Sequence, residues 1–162
     1  MRKSGMVLLP SKKTLRAYTG SSTVDVGVTE LVKQRLLMKK RNLSAQQLKV
    51  RLIVDEAAVK PVEVHMKNVD KLVGHVDMTG VVNPSPAIEG ALVNKLLTFV
   101  INGLSKSYSI IVGYFLVKQL NAKKLLELTK HVIKEIEDHG FEVVGLVADN
   151  ASTNTKMFKL LN

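Results

Sequence analysis

An amphipathic helix lies between apolar strands in the second half of the sequence, and this order restricts the fold more than any other feature. The segment NAKKLLELTKHVIKEIEDHG (121–140) begins at a good N-cap, Asn121, and ends at a glycine. Its apolar stripe comprises Leu125, Leu128, Val132, Ile133 and Ile136. The next segment, FEVVGLVAD (141–149), is apolar on both faces, as a central strand of a parallel sheet is. A strand that follows such a helix is expected to lie parallel to an earlier strand.

Three further apolar segments complete the predicted sheet. KLLTFVINGL (95–104) and YSIIVGYFLV (108–117) are joined by a short polar turn and predict an antiparallel hairpin. VRLIVDE (50–56) predicts a buried strand, and a short wet-faced hairpin over 62–78 and a proline-rich loop over 80–90 follow it. The sequence therefore predicts an α/β fold with a mixed sheet covered by helices.

The first 48 residues are predicted to form a basic helical segment that precedes this domain, which spans 49–162. Of the 24 Lys and Arg residues, 13 lie within residues 1–60, together with only 4 of the 14 acids. Pro10 and Ser11 are turn and cap signals, and a helix is predicted over 29–42 with Thr29 as its N-cap. Its apolar stripe comprises Leu31, Val32, Leu36 and Leu37. The basic side chains outside this stripe are candidate DNA ligands: Lys33, Arg35, Lys39, Lys40 and Arg41. A solvated basic helix face explains the same pattern equally well.

Two apolar strands end in an acid, Asp55 in LIVDE and Asp149 in GLVAD. If those strands are parallel neighbours, both carboxylates leave the same edge of the sheet, where ligands collect in open α/β sheets. A divalent cation would remove the repulsion between them. A helix cap is the competing interpretation of Asp149, although Ser152 or Thr153 could cap that helix. Glu56 is expected on the opposite face, solvated or in an ion pair.

Other kinds of site find little support. The chain has no cysteine, which excludes disulfides and thiolate zinc sites. It has neither a dinucleotide glycine fingerprint nor a phosphate-binding GxxxxGK[ST] motif. The four histidines lack a tight metal-ligand spacing and are expected to have structural or surface roles. No apolar stretch is long enough for a membrane span, and the N-terminus has too short an apolar core for a secretory signal.

The sequence resembles the RNase H-like catalytic domain of P element-type transposases, including their THAP-containing relatives. The similar stretches, in the family's order, are LPSKKTLRAYT, VRLIVDEAAVK, DKLVGHVDM, IVGYFLVKQLNA and VVGLVADNASTNTKMFKLL. The resemblance implies that Asp55 and Asp149 are the first two of three catalytic acids that hold Mg²⁺ or Mn²⁺. The third, a glutamate on a later helix, is not in this sequence, and neither are the last strand, the zinc-binding THAP domain and the GTP-binding insertion.

The resemblance thus implies a fragment of a cut-and-paste DNA transposase, which cleaves and joins DNA with the help of metal ions and is expected to be inactive alone. Transposon ends and target DNA would be its partners, a homo-oligomer is a further expectation, and the nucleus would be its location. A non-catalytic, DNA-associated or oligomerising remnant of a transposase is the alternative. A small α/β binding module with two capping acids is a third interpretation, for which the two carboxylates would lie far apart.

Overall fold

The computed structural model describes residues 25–67 and 70–161, so the turn and helix predicted around Pro10 and Ser11 lie outside the described part. Six strands are described: β1 (Lys49–Ala58), β2 (Val64–Met66), β3 (Lys71–Val73), β4 (Lys95–Gly103), β5 (Ser109–Val117) and β6 (Glu142–Ala148). The described α-helices are α1 (Glu30–Lys40), α2 (Ala122–Asp138) and α3 (Ser152–Leu161). None of these helices is both long and apolar enough to cross a membrane.

Four of the strands form a mixed sheet in the order β5-β4-β1-β6. β4 is antiparallel to β1 and to β5, whereas β6 is parallel to β1. β1, β5 and β6 therefore run in the same direction, and their carboxyl ends lie at one edge of the sheet, here called the carboxyl edge. The predicted α/β class and mixed sheet are confirmed, and β2 and β3 form the predicted separate hairpin.

One face of the sheet packs against α2. Alternate residues of β1 are buried at Val50, Leu52 and Val54, as period-two side-chain alternation requires. They form one core with the helix residues Leu125, Leu128, Val132 and Ile136, each of them fully buried. The rings of Phe99 and Phe115 meet edge to face, with 5.7 Å between their centroids. The predicted apolar stripe of this helix is thus confirmed, and the stripe fixes the helix on the sheet.

The predicted helix ends are confirmed at both long helices. The Thr29 hydroxyl accepts a hydrogen bond from the Val32 amide at 3.4 Å, and the Asn121 side chain accepts one from the Lys124 amide at 2.9 Å. Gly140 follows the end of α2 with φ +86°, a left-handed conformation that favours glycine. Because α2 stops there, the chain can reverse and enter β6.

α1 buries less than its sequence pattern predicts. Of the predicted stripe only Leu36 is fully buried, whereas Leu31 and Leu37 are about half exposed, at 48% and 46%. The reason is that α1 packs beside β5, at the border of the sheet, where a single line of helix side chains reaches the core. A 3₁₀ turn over Ala45–Leu48 then leads into β1. The domain boundary at residue 48 stays a prediction.

Candidate metal centre

Asp149 directly follows β6, whereas Asp55 lies within β1, which continues to Ala58 and does not stop at residue 56 as predicted. Both acids lie close to the carboxyl edge. In the parallel pair of β1 and β6, Ile53 is opposite Val147 and Val54 is opposite Ala148. Continuing the register by one residue places the two acids opposite each other, on the face that Ile53 and Val147 occupy. Since neighbouring strands are about 4.8 Å apart, the two carboxylates can reach a common ion. The two conditions for this placement, that the strands are parallel and that they are neighbours, both hold.

Asp149 is held by the turn that leads into α3. Its Oδ1 accepts hydrogen bonds from the Ala151 amide at 2.9 Å and from Nδ2 of Asn154 at 2.6 Å. Asn154 is itself only 5% exposed, so its amide is fixed by the surrounding side chains. Oδ2 of Asp149 accepts no hydrogen bond from the described residues. Asp149 therefore takes part in the turn through one oxygen and keeps the other for a ligand, so the cap and ligand interpretations are compatible.

The side chain of Asp55 is exposed and makes no hydrogen bond or ion pair with any residue in the described ranges. Its neighbour Glu56 projects to the opposite face, where Oε2 contacts Nζ of Lys95 at 2.6 Å. This confirms the expectation that Glu56 is in an ion pair. Because side chains alternate along β1, Asp55 and Glu56 project to opposite faces, and only Asp55 lies on the same face as Asp149.

Two polar residues that are not among the predicted metal ligands lie in the same row as the acids. Thr98 of β4 is opposite Asp55, and Tyr114 of β5 is opposite Thr98. Directly opposed residues share a face, so the row Asp149, Asp55, Thr98, Tyr114 crosses all four strands. Burial, followed by the nearby charges of Asp25 and Asp77, raises the pKa of Tyr114. Strand alternation in the sequence could have indicated the shared face, but not which residues oppose each other.

The histidines contribute to no metal cluster among the described residues. Nε2 of His65 contacts Asp70 at 2.7 Å, and Nε2 of His75 contacts Glu63 at 3.1 Å. Nδ1 of His139 lies 2.7 Å from the backbone oxygen of Glu135. Across residues 25–67 and 70–161, no group of three or more His, Cys, Asp or Glu side chains is arranged to hold a metal ion.

The basic side chains of α1 lie away from the two acids. Nζ of Lys33 pairs with Glu135 near the end of α2 at 3.0 Å, and Nζ of Lys39 lies 4.8 Å from the ring centroid of Tyr108. The Lys40 side chain packs against Gly140. Three of the five candidate DNA ligands thus make contacts within the domain. The DNA-binding role of Lys33, Arg35, Lys39, Lys40 and Arg41 stays a prediction.

Together, the mixed sheet, the long helix between β5 and β6, and the paired acids at the carboxyl edge define an RNase H-like domain. The family model described as "TNP-like, RNase H N-terminal domain" matches residues 24–162. The chain therefore belongs to the TNP-like RNase H N-terminal domain family. No curated protein sequence matches the chain significantly.

Among solved structures, the chain is similar to one described as "Drosophila P element transposase strand transfer complex". The TM-score is 0.68 at 18% sequence identity, and the match covers 95% of this chain and 30% of the other. The fold is thus the one found in the transposase of the P element, and the resemblance stated from the sequence is confirmed. The chain spans about a third of the length of that transposase chain.

Proposed function

We propose that this chain is the N-terminal part of the catalytic domain of a DNA transposase, with Asp55 and Asp149 as two of its divalent-metal ligands. The substrate would be the DNA of transposon ends and target, handled in the nucleus. The chain alone would bind metal weakly and would not transfer DNA strands, because two carboxylates fix an ion less firmly than three.

One observation carries the proposal: the register of two adjacent parallel strands aligns two acids, 94 residues apart in the sequence, on one face near the carboxyl edge. The side chain of Asp55 has no structural role among the described residues, because it is exposed and makes no hydrogen bond or ion pair with them. The donor set suits Mg²⁺ or Mn²⁺, which take oxygen ligands and commonly use one or two carboxylates together with water and phosphate oxygens.

The residues of this chain would position the ion and leave it accessible to DNA. Metal ions in such a centre would activate a water or a DNA 3′-hydroxyl and stabilise the leaving oxygen. Asn154 would fix the orientation of Asp149 through Oδ1, and β1 would fix Asp55 through its ladder to β4 and β6. Rigid positioning of this kind is what in-line phosphoryl transfer requires from a protein.

The test is a titration of the chain with Mn²⁺, followed by paramagnetic broadening of backbone amide signals. We expect selective broadening around residues 53–57 and 146–151, and its loss in both Asp55→Asn and Asp149→Asn. Glu56→Gln is the matched control, because it neutralises the adjacent acid on the other face and should leave the broadening unchanged. Unaltered broadening in the two aspartate variants would refute the proposal.

The same variants separate the catalytic proposal from its alternative, a non-catalytic DNA-associated remnant. A remnant would bind DNA without any requirement for Mn²⁺ binding at the two acids. DNA binding that persists in a protein with no Mn²⁺ site would therefore favour the remnant.

A further inference from the structure

A groove lined by three lysines lies between the start of α2 and the second half of α3. It has a volume of about 630 Å³ and is lined by Asn121, Ala122, Lys123, Lys156, Lys159 and Leu160. We propose that this groove, here called the lysine groove, binds the phosphate backbone of DNA at the edge of the sheet that also carries the two acids. That the polyanion is DNA rests on the proposed function.

The topology puts the lysine groove at the carboxyl edge. α2 starts five residues after the end of β5, and α3 starts four residues after the end of β6. Since β5 and β6 are parallel, both helices begin at the edge that carries the acids. α3 is about 15 Å long, and β5 and β6 lie about 14 Å apart across the sheet. α3 therefore spans this edge, and its far end meets the start of α2.

The charge of the lysine groove is not neutralised within the domain. Lys123, Lys156 and Lys159 are exposed and form no ion pair with any residue in the described ranges. The sequence of α3 contains no acid, and the first turn of α2 contains none either. Lys33 of α1 differs in this respect, because it is paired with Glu135. Unpaired lysines on neighbouring helices suit a ligand with several regularly spaced negative charges.

The start of α2 adds to the positive potential of the lysine groove. Backbone N–H groups at a helix N-terminus carry a partial positive charge that attracts phosphate. Lys124 leans away from the groove, because its Nζ donates to the backbone oxygen of Asn83 at 2.8 Å. Apolar surface from Ala122 and Leu160 forms the remainder of the lining and can contact sugar rings.

The lysine groove and the acids lie at the same edge of the sheet but on different faces, because α2 covers the face of Val50, Leu52 and Val54, and Asp55 projects from the other face. The groove would act as a clamp that holds the backbone without reading its sequence.

The test is the salt dependence of binding to a 20-base-pair DNA duplex of mixed sequence, measured by fluorescence anisotropy. The variant carries Lys123→Gln, Lys156→Gln and Lys159→Gln together, all at exposed helix positions where glutamine is tolerated. The slope of log K against log salt is negative, and each lost phosphate contact reduces its magnitude by about 0.9. With one contact for each of the three lysines, we expect the magnitude to fall by about 2.7. At 100 mM salt the affinity should fall at least about tenfold.

The matched control removes the same charge elsewhere, through Lys49→Gln, Lys67→Gln and Lys106→Gln. These lysines are exposed and lie at the opposite edge of the sheet or in the β2–β3 hairpin. An equal loss of affinity in this control would overturn the proposal, because it would show a response to net charge alone. Circular dichroism and thermal melting establish that both variants remain folded.

Two further measurements identify the ligand and test this proposal independently of the proposed metal centre. Tighter binding to an RNA duplex of the same length, lost in the groove variant, would overturn the assignment to DNA. The groove variant should keep the Mn²⁺ broadening around Asp55 and Asp149. If that broadening is missing in the wild type while the lysine effect is present, the metal proposal fails and the groove proposal stands.

Discussion

The amide of Asn154 donates from Nδ2 to Oδ1 of Asp149 at 2.6 Å, across the first turn of α3. Asn154 is buried, whereas Asp149 is exposed, so the helix holds the acid from its protected side. An outer partner of this kind sets the orientation of a metal ligand and leaves its free oxygen toward solvent.

Asn154→Ala should weaken Mn²⁺ binding, because Asp149 loses the group that orients it. Loss of such a partner typically costs 10- to 100-fold in metal affinity, and the lost hydrogen bond should lower the free energy of unfolding by about 1–3 kcal/mol. Calorimetric titration and urea unfolding measure the two effects. Asn150→Ala, at an exposed position nearby, is the control and should change stability by less than about 0.5 kcal/mol. Equal metal affinities in the two variants would contradict the assigned role.

Asp55→Asn should make the metal-free chain slightly more stable, because it removes a negative charge next to Asp149. We expect a gain of a few tenths of a kcal/mol in EDTA, since both groups are exposed. With Mg²⁺ at ten times its dissociation constant, the wild type should gain about 1.4 kcal/mol and the variant nothing. Thermal melting with EDTA and with Mg²⁺ gives both numbers, and an equal Mg²⁺ response in the two proteins would count against a shared site.

Gly140→Ala should lower the free energy of unfolding by about 1–2 kcal/mol, because φ +86° is strained for any residue with a Cβ. The new methyl group would also displace the side chain of Lys40. Gly90→Ala separates the two causes, since Gly90 has φ +66° and open space around it. Urea unfolding should therefore show a smaller loss for Gly90→Ala. A Lys40→Ala change should recover part of the loss at Gly140 but none at Gly90.

Alkaline pH should destabilise the wild type in part through Tyr108, whose pKa burial raises above 10.0. Above pH 10 the unfolded chain releases this proton while the folded chain keeps it, so stability falls as pH rises. Tyr108→Phe removes this dependence but also the hydrogen bond from the hydroxyl to the backbone oxygen of Gln47, 2.7 Å long. We expect the variant to be about 1 kcal/mol less stable at pH 7, and the difference to narrow between pH 9 and 11. A difference that stays constant over this range would refute the titration argument.

The elements of the fold could be predicted from local patterns, because each pattern reports which side of a segment faces the core. The stripe of α2, the caps Thr29 and Asn121, and the stop at Gly140 are all where the sequence indicates. α1 is the exception: its stripe includes Leu31 and Leu37, but half of their surface remains exposed. An apolar stripe indicates that a helix face can be buried, whereas the neighbouring elements determine how much of that face is buried.

The local alternation and turn signals suffice to predict that Asp55 and Asp149 lie near the ends of apolar strands, although β1 continues to Ala58, three residues beyond Asp55. The parallel pairing of β6 with β1, in a register that aligns the two acids, follows from the tertiary structure alone. Register depends on which strands become neighbours and on the irregularity between Val50 and Arg51, neither of which a local pattern encodes. The same holds for Asn154 and for the lysine groove, because helix packing brings together residues that no spacing in the sequence connects.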